Sequence, residues 1–296
     1  MRKALKWVGI GLAGLVVLAI LAAVGLSIAG GQRLNKTHDI QAEAIPIPTD
    51  AAALARGEHL ALGPALCTEC HGQDLSGDLL FEEPGIATVY AANITGLGET
   101  HSDADLIRAI RHGVDTDGRQ LVIMPADVFI HFSAEDLGAV IAYLKTVPRV
   151  GDEQPEPELP FMGRVMLAAG MFGDVFPAEV IDHNQPYPAM PEIGANQEYG
   201  VYLAQALCTT CHGADLAGYV FDPEAPPGPN LTPGGELGEW SEAEFIQTIR
   251  TGVSPHGHEL DPDFMPWEAF AKFSDDELRA LWMYLQSLPA KESLLR

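Results

Sequence analysis

All four cysteines of the chain stand in two copies of one string, Cys67-Thr68-Glu69-Cys70-His71 and Cys208-Thr209-Thr210-Cys211-His212. Two thiols three positions apart lie about one helical turn apart. That spacing lets both form thioethers to the vinyl groups of one porphyrin while the adjoining imidazole ligates the iron. A lone CxxC is ambiguous, because zinc sites and dithiol redox pairs share it. Two copies, each followed at once by His, point to two covalently held haem groups. No thiol is left over for a structural disulfide.

Iron held by His on one face needs a ligand or an open position on the other. Met124 and Met265 each precede a proline and follow their CxxCH histidine at the same distance. Thioether is a soft ligand, and His/Met ligation raises the reduction potential. A single Met would be read as core filler, but two at equal spacing are read as iron ligands. His71 and Met124 then form one axial pair, and His212 and Met265 the other. His101 and His112 have no counterpart in the second half, where Trp240 and Thr251 stand. His256 and His258 lie just before Met265 as competitors for the iron. His38, His59, His131 and His183 read as surface or packing residues.

The elements that must position these groups are repeated as well. Leu66-Cys67-Thr68 matches Leu207-Cys208-Thr209, and Asp74-Leu75-Ser76-Gly77 matches Asp215-Leu216-Ala217-Gly218. Ile110-Arg111-His112-Gly113-Val114 matches Ile249-Arg250-Thr251-Gly252-Val253, and Tyr143 and Pro148 match Tyr284 and Pro289. Each half reads as helical. First helices start near Asp50 and Asn196. Middle helices open at Ser102 and Ser241 and close at Gly113 and Gly252. Final helices open at Ser133 and Ser274, carry an i, i+3, i+4, i+7 apolar stripe, and stop before Pro148 and Pro289. Between the helices lie Gly- and Pro-rich loops, and no alternation predicts a sheet. Arg111 and Arg250 either clamp a haem carboxylate or cap their helix ends. Asn93-Ile94-Thr95 and Asn230-Leu231-Thr232 fit the glycosylation pattern, or shape a loop beside the haem. Trp240 and Trp267 read as local packing.

Arg2, Lys3 and Lys6 precede an uncharged run from Trp7 to Ala29. As a helix it spans about 35 Å, enough for a hydrocarbon core of about 30 Å. Its length favours an uncleaved anchor with the N-terminus cytoplasmic. Ser27-Ile28-Ala29 also offers a small-x-small cleavage site. The resulting segments are an anchor at 1–30, a polar tether at 31–49, a first domain at 50–149, a proline-rich linker at 150–194 and a second domain at 195–296. Within the linker, 164–172 reads as a short apolar helix packed on one unit. The chain carries 17 basic and 41 acidic residues, a net charge of −24. Such a field repels nucleic acid and favours encounter with a basic partner; equally, it keeps an exported protein soluble.

With these residues in hand, the chain resembles the class I cytochrome c family: an all-α fold, two such domains in tandem over 50–149 and 195–296, after a single N-terminal transmembrane helix. Its Pro229-Asn230-Leu231-Thr232, Leu237-Gly238-Glu239-Trp240-Ser241 and Ile249-Arg250-Thr251-Gly252-Val253 are similar to the cytochrome subunits that take electrons from periplasmic alcohol and aldehyde dehydrogenases. The resemblance implies two haem c groups on Cys67, Cys70, Cys208 and Cys211, with iron ligated by His71, Met124, His212 and Met265. It implies export and a place at the inner membrane, with the haem domains on the periplasmic side. It implies redox partner proteins and electron transfer without bond chemistry of its own. The ring nitrogens of both histidines should donate to a nearby carbonyl, with the turns at Pro84 and Pro227 as candidate acceptors. A dihaem peroxidase with one open iron is the rival reading, and a docking subunit a third.

Overall fold

The computed structural model describes residues 2–220 and 226–293; Met1 and residues 294–296, the outer ends of the predicted anchor and second domain, lie outside the described residues. The anchor sequence forms one helix, α1 (Arg2–Leu34). The first unit follows as α2 (Ala51–Leu62), α3 (Cys67–His71), a hairpin of β1 (Leu79–Glu83) and β2 (Ala87–Tyr90), then α4 (Leu97–Thr100), α5 (Asp103–His112), α6 (Ala126–Phe129) and α7 (Ala134–Leu144). The linker contains α8 (Phe161–Ala168). The second unit comprises α9 (Gln197–Leu207), α10 (Thr209–His212), α11 (Glu242–Thr251), α12 (Trp267–Phe270) and α13 (Asp275–Ser287).

The helix starts follow from capping chemistry. Asp50 and Asn196 accept backbone N–H groups at the starts of α2 and α9. Reciprocal capping boxes open α5, α11 and α13. At α7 Ser133 caps one way only, because the Asp136 carboxylate is turned to other partners. In each unit the first and last helices cross at a glycine. A β-carbon on Gly57 would collide with the Ala139 carbonyl, and one on Gly200 with the equivalent Ala280 carbonyl. Each crossing seals one core. The first contains Leu60, Leu106, Ile107, Phe129, Leu137 and Ile141, and the second Tyr199, Leu203, Phe245, Phe270, Leu278 and Leu281.

Three expectations need correction. A small sheet exists: β1 and β2 pair antiparallel with an irregularity between Leu79 and Phe81. Only β2 alternates in burial, while β1 is almost wholly exposed, so a period of two is hardly visible in the sequence. The segment 31–49 is no free tether. His38 bonds Gln120, the Thr37 backbone bridges Arg119, and Ile45 and Ile47 pack on the first core. The proline-rich linker is likewise laid along the first unit. Glu158 bridges Thr88, Gln154 donates to the Ser76 carbonyl, and Phe176 sits in a third small core with Ala87, Leu159 and Leu167. The expected apolar helix is α8, and it packs on α1 as well as on the first unit.

Candidate functional site

The chain enters each CxxCH string from the end of a helix that belongs to the core. Leu66 takes a left-handed turn, φ 58°, and throws Cys67–His71 into a fresh helical turn; α9 passes into α10 with only a change of direction at Cys208. Cys67 and Met124 both pack against the first core, and Cys208 and Met265 both pack against the second. The fold thus gathers the first cysteine of each string and the methionine of the same unit onto one apolar floor. None of the four cysteines is paired in a disulfide among the described residues. Burial, with a neighbouring cysteine, pushes the Cys67 and Cys208 thiols up to about 12, and burial raises Cys70 and Cys211 as well. Among the described residues no group of three or more His, Cys, Asp or Glu side chains is arranged to hold a bare metal ion.

The two histidines are oriented by backbone. His71 Nδ1 donates to the Ala92 carbonyl at 2.7 Å, and His212 Nδ1 to the Pro229 carbonyl at 2.9 Å. A carbonyl only accepts, so the proton sits on Nδ1 and the Nε2 lone pair is left for iron. Burial pushes both imidazoles down, which keeps them neutral. The acceptors are not the turns at Pro84 and Pro227 but the residues immediately before the two Asn-x-Thr motifs. Those motifs build the delivering loop. Asn93 accepts from Thr95 N and Oγ1 and donates to the Val150 and Asp152 carbonyls; Asn230 accepts from Thr232 and donates to Lys291. Leu75 and Leu216, both left-handed, hold the same loop through their carbonyls to Ile94 N and Leu231 N.

A thiol pair followed by an oriented neutral imidazole, with one thiol and a thioether on a shared core, fits a covalently held haem. One further donor in the second unit, the buried indole N–H of Trp240, has no protein partner, which suits a haem carboxylate. Arg111 and Arg250 direct their guanidinium groups to protein partners beyond their own helices. Arg111 donates to the carbonyls of Ile130 and Gln185 and stacks on the Tyr187 ring at 3.8 Å; Arg250 donates to the equivalent Ala271 carbonyl and to Asp275. Each arginine ties the middle helix to the segment that follows the methionine. His256 and His258 stay exposed.

The sequence reading missed where the two units meet. The residues before each CxxCH face the other unit: Leu66 packs on the second core, and Ala206 and Leu207 on the first. Lys272 Nζ donates to the Leu62 carbonyl. At the centre Arg56 makes a two-pronged bond to Asp136, 2.9 Å for each contact, and reaches Glu277 of the other unit at 2.7 Å. His59 also reaches Glu277, at 2.8 Å, and Tyr199 donates to the same carboxylate. Tyr202 of the second unit donates to Asp136 of the first. Asp136 and Glu277 are equivalent positions, three residues into each final helix, so the contact is a near two-fold. The repeat made these positions visible, but nothing in one strand of sequence says that two capping residues reach across.

Residues 54–148 match the family described as cytochrome c, and residues 195–285 that described as cytochrome C oxidase, cbb3-type, subunit III. The fructose dehydrogenase cytochrome subunit of Gluconobacter japonicus is 29% identical over 274 residues, which cover 82% of this chain and 55% of that protein. The alcohol dehydrogenase (quinone) cytochrome c subunit of Gluconacetobacter polyoxogenes is 28% identical over 300 residues, 90% of this chain and 61% of that one. The gluconate 2-dehydrogenase cytochrome c subunit of Pantoea cypripedii is 29% identical over 278 residues, 82% and 61%. The chain therefore spans little more than half the length of these relatives. Fold and site together define a c-type cytochrome. The chain carries two cytochrome c domains, each matched by its own family model, and two such domains imply two covalently bound haem c groups.

Proposed function

We propose that this chain is an electron carrier with two redox centres, one in the domain spanning 50–149 and one in that spanning 195–296. Cys67 and Cys70 hold one haem and Cys208 and Cys211 the other. His71 with Met124, and His212 with Met265, close the two faces of each iron. When bound, the haems supply reversible one-electron chemistry; the chain's residues hold, orient and shield them. The observation that carries this reading recurs in both units: an imidazole oriented by a backbone carbonyl, in a string whose first cysteine packs on the same core as the unit's methionine. A peroxidase needs one iron face left open, whereas both units here carry a methionine on the core that also holds the first cysteine of the haem string.

The dehydrogenase cytochrome subunits among its relatives suggest a periplasmic dehydrogenase as electron donor and a respiratory or other membrane acceptor. The charge of −24 suits a partner with a basic docking surface. α1 has a stretch, Leu5–Leu34, long and apolar enough to cross a membrane by length and composition. On this reading it anchors the protein in the inner membrane by a single pass, with both haem domains on the periplasmic side. A redox-titrated absorption and magnetic circular dichroism spectrum tests the proposal. Two haems, each with nitrogen and sulfur ligation, are expected. A vacant or water-bound iron in the resting oxidised protein, with peroxide turnover, would overturn it.

A further inference from the structure

Through most of its apolar run α1 touches no other part of the protein, and its side chains from Val8 to Leu26 are largely exposed. Burial starts at Ser27 and Gly30, at the end of that run, and the covering element is α8. Gly30 lies so close to the Arg164 carbonyl that a β-carbon would collide with it. Arg33 donates to the Leu167 carbonyl and pairs with Glu179 at 2.8 Å. On the other side Gly163 abuts the Ile86 carbonyl of the hairpin with the same closeness. α8 is thus fixed across α1 at one level, between it and the first haem unit.

What α8 leaves outside is apolar. Phe161 and Met162 are 49% and 51% exposed, Met171 just beyond it 66%, and Ile28 of α1 beside it 58%. From residue 159 to 173 there is no acidic side chain, and Arg164 is the sole charge. Its Nε donates to the Leu159 carbonyl, it lies against Gly31 of α1, and it joins none of the ion pairs among the described residues. Contiguous exposed Phe and Met side chains call for a covering surface. Here they continue the apolar surface of α1 at its upper end, with one arginine long enough to reach phosphate while its stem stays in the apolar layer.

We infer that residues 161–172 form a second membrane contact: α8 lies in the headgroup–acyl boundary of the leaflet from which α1 emerges, with Phe161, Met162 and Met171 in the acyl layer and Arg164 among lipid phosphates. This rests on the reading of α1 as a spanning anchor. The first haem unit is then fixed at a set height and tilt above the bilayer.

The test uses the full haem-loaded chain in vesicles of phosphatidylethanolamine and phosphatidylglycerol. Its own cysteines are consumed as thioethers, so single cysteines can be introduced by Met162→Cys, Met171→Cys, Leu18→Cys and, as an exposed control, Thr146→Cys. Relative to position 146, positions 162 and 171 should lose reaction with a charged, membrane-impermeant maleimide and keep reaction with an uncharged one. If they react with the charged probe like position 146 while position 18 stays protected, the second contact is refuted and the anchor stands. If position 18 reacts too, the anchor reading has failed. Protection from both probes would mean that protein covers α8, which also overturns the inference.

Discussion

His71 and His212 each commit one ring nitrogen to a backbone carbonyl, which fixes the tautomer before any metal arrives. In the proposed ligation the thioethers of Met124 and Met265 are the replaceable partners. Met124→Ala should lower one of two reduction potentials and leave the other near its original value; Met265→Ala should do the converse, since His/Met ligation raises the potential. A redox titration followed by absorption reads both. These four residues stood out in the sequence because they recur in step. The carbonyls of Ala92 and Pro229 were not, because an acceptor on the main chain has no side-chain signature. Only its register, one residue before Asn-x-Thr, marks it once the loop has been seen. His59 escaped for another reason: its partner Glu277 lies in the other half of the chain.

At the scale of elements, two glycines matter more than their plainness suggests. Gly57 and Gly200 allow first and last helices to touch backbone to backbone, at the Ala139 and Ala280 carbonyls. Gly200→Val should force these helices apart and destabilise the holo protein by about 1–3 kcal/mol, the usual range for overpacking, read as a lower guanidinium midpoint. Helices were legible from caps and stripes, and Asp50, Ser102, Asn196, Ser241 and Ser274 all cap as their types require. The hairpin was not, since β1 hides almost none of its residues and pairs through main chain alone. Prolines in the linker correctly excluded long helices, yet they say nothing of where an extended strand lies down. Its docking residues, Gln154, Glu158 and Phe176, are spread too thinly to form a pattern.

For the whole molecule, the carboxylates of Asp136 and Glu277 decide how the halves sit together. Burial by itself would push the Glu277 carboxyl up. Hydrogen bonds and charge from His59, with Ser274 N–H and Arg56, outweigh it and hold the group at about 2. A carboxyl lowered on folding contributes stability that is complete above its ordinary value and is lost as pH falls through the lowered one. Acid between about 4.5 and 2 should therefore loosen the contact between units. Small-angle scattering across that range should report expansion, and Glu277→Gln should remove that step while lowering stability at neutral pH. Long-range charge belongs to this scale too. If the partner's docking face is basic, raising the ionic strength should slow electron transfer steeply, as stopped-flow mixing would record.

The near two-fold between Asp136 and Glu277 has the form of a homodimer contact, yet both sides of it lie on one polypeptide. Dilution that would dissociate a pair of separate subunits leaves these halves together, because covalent linkage keeps each at a high local concentration around the other. Every copy of the chain thus brings its two haem domains in a fixed one-to-one ratio, however scarce the protein becomes.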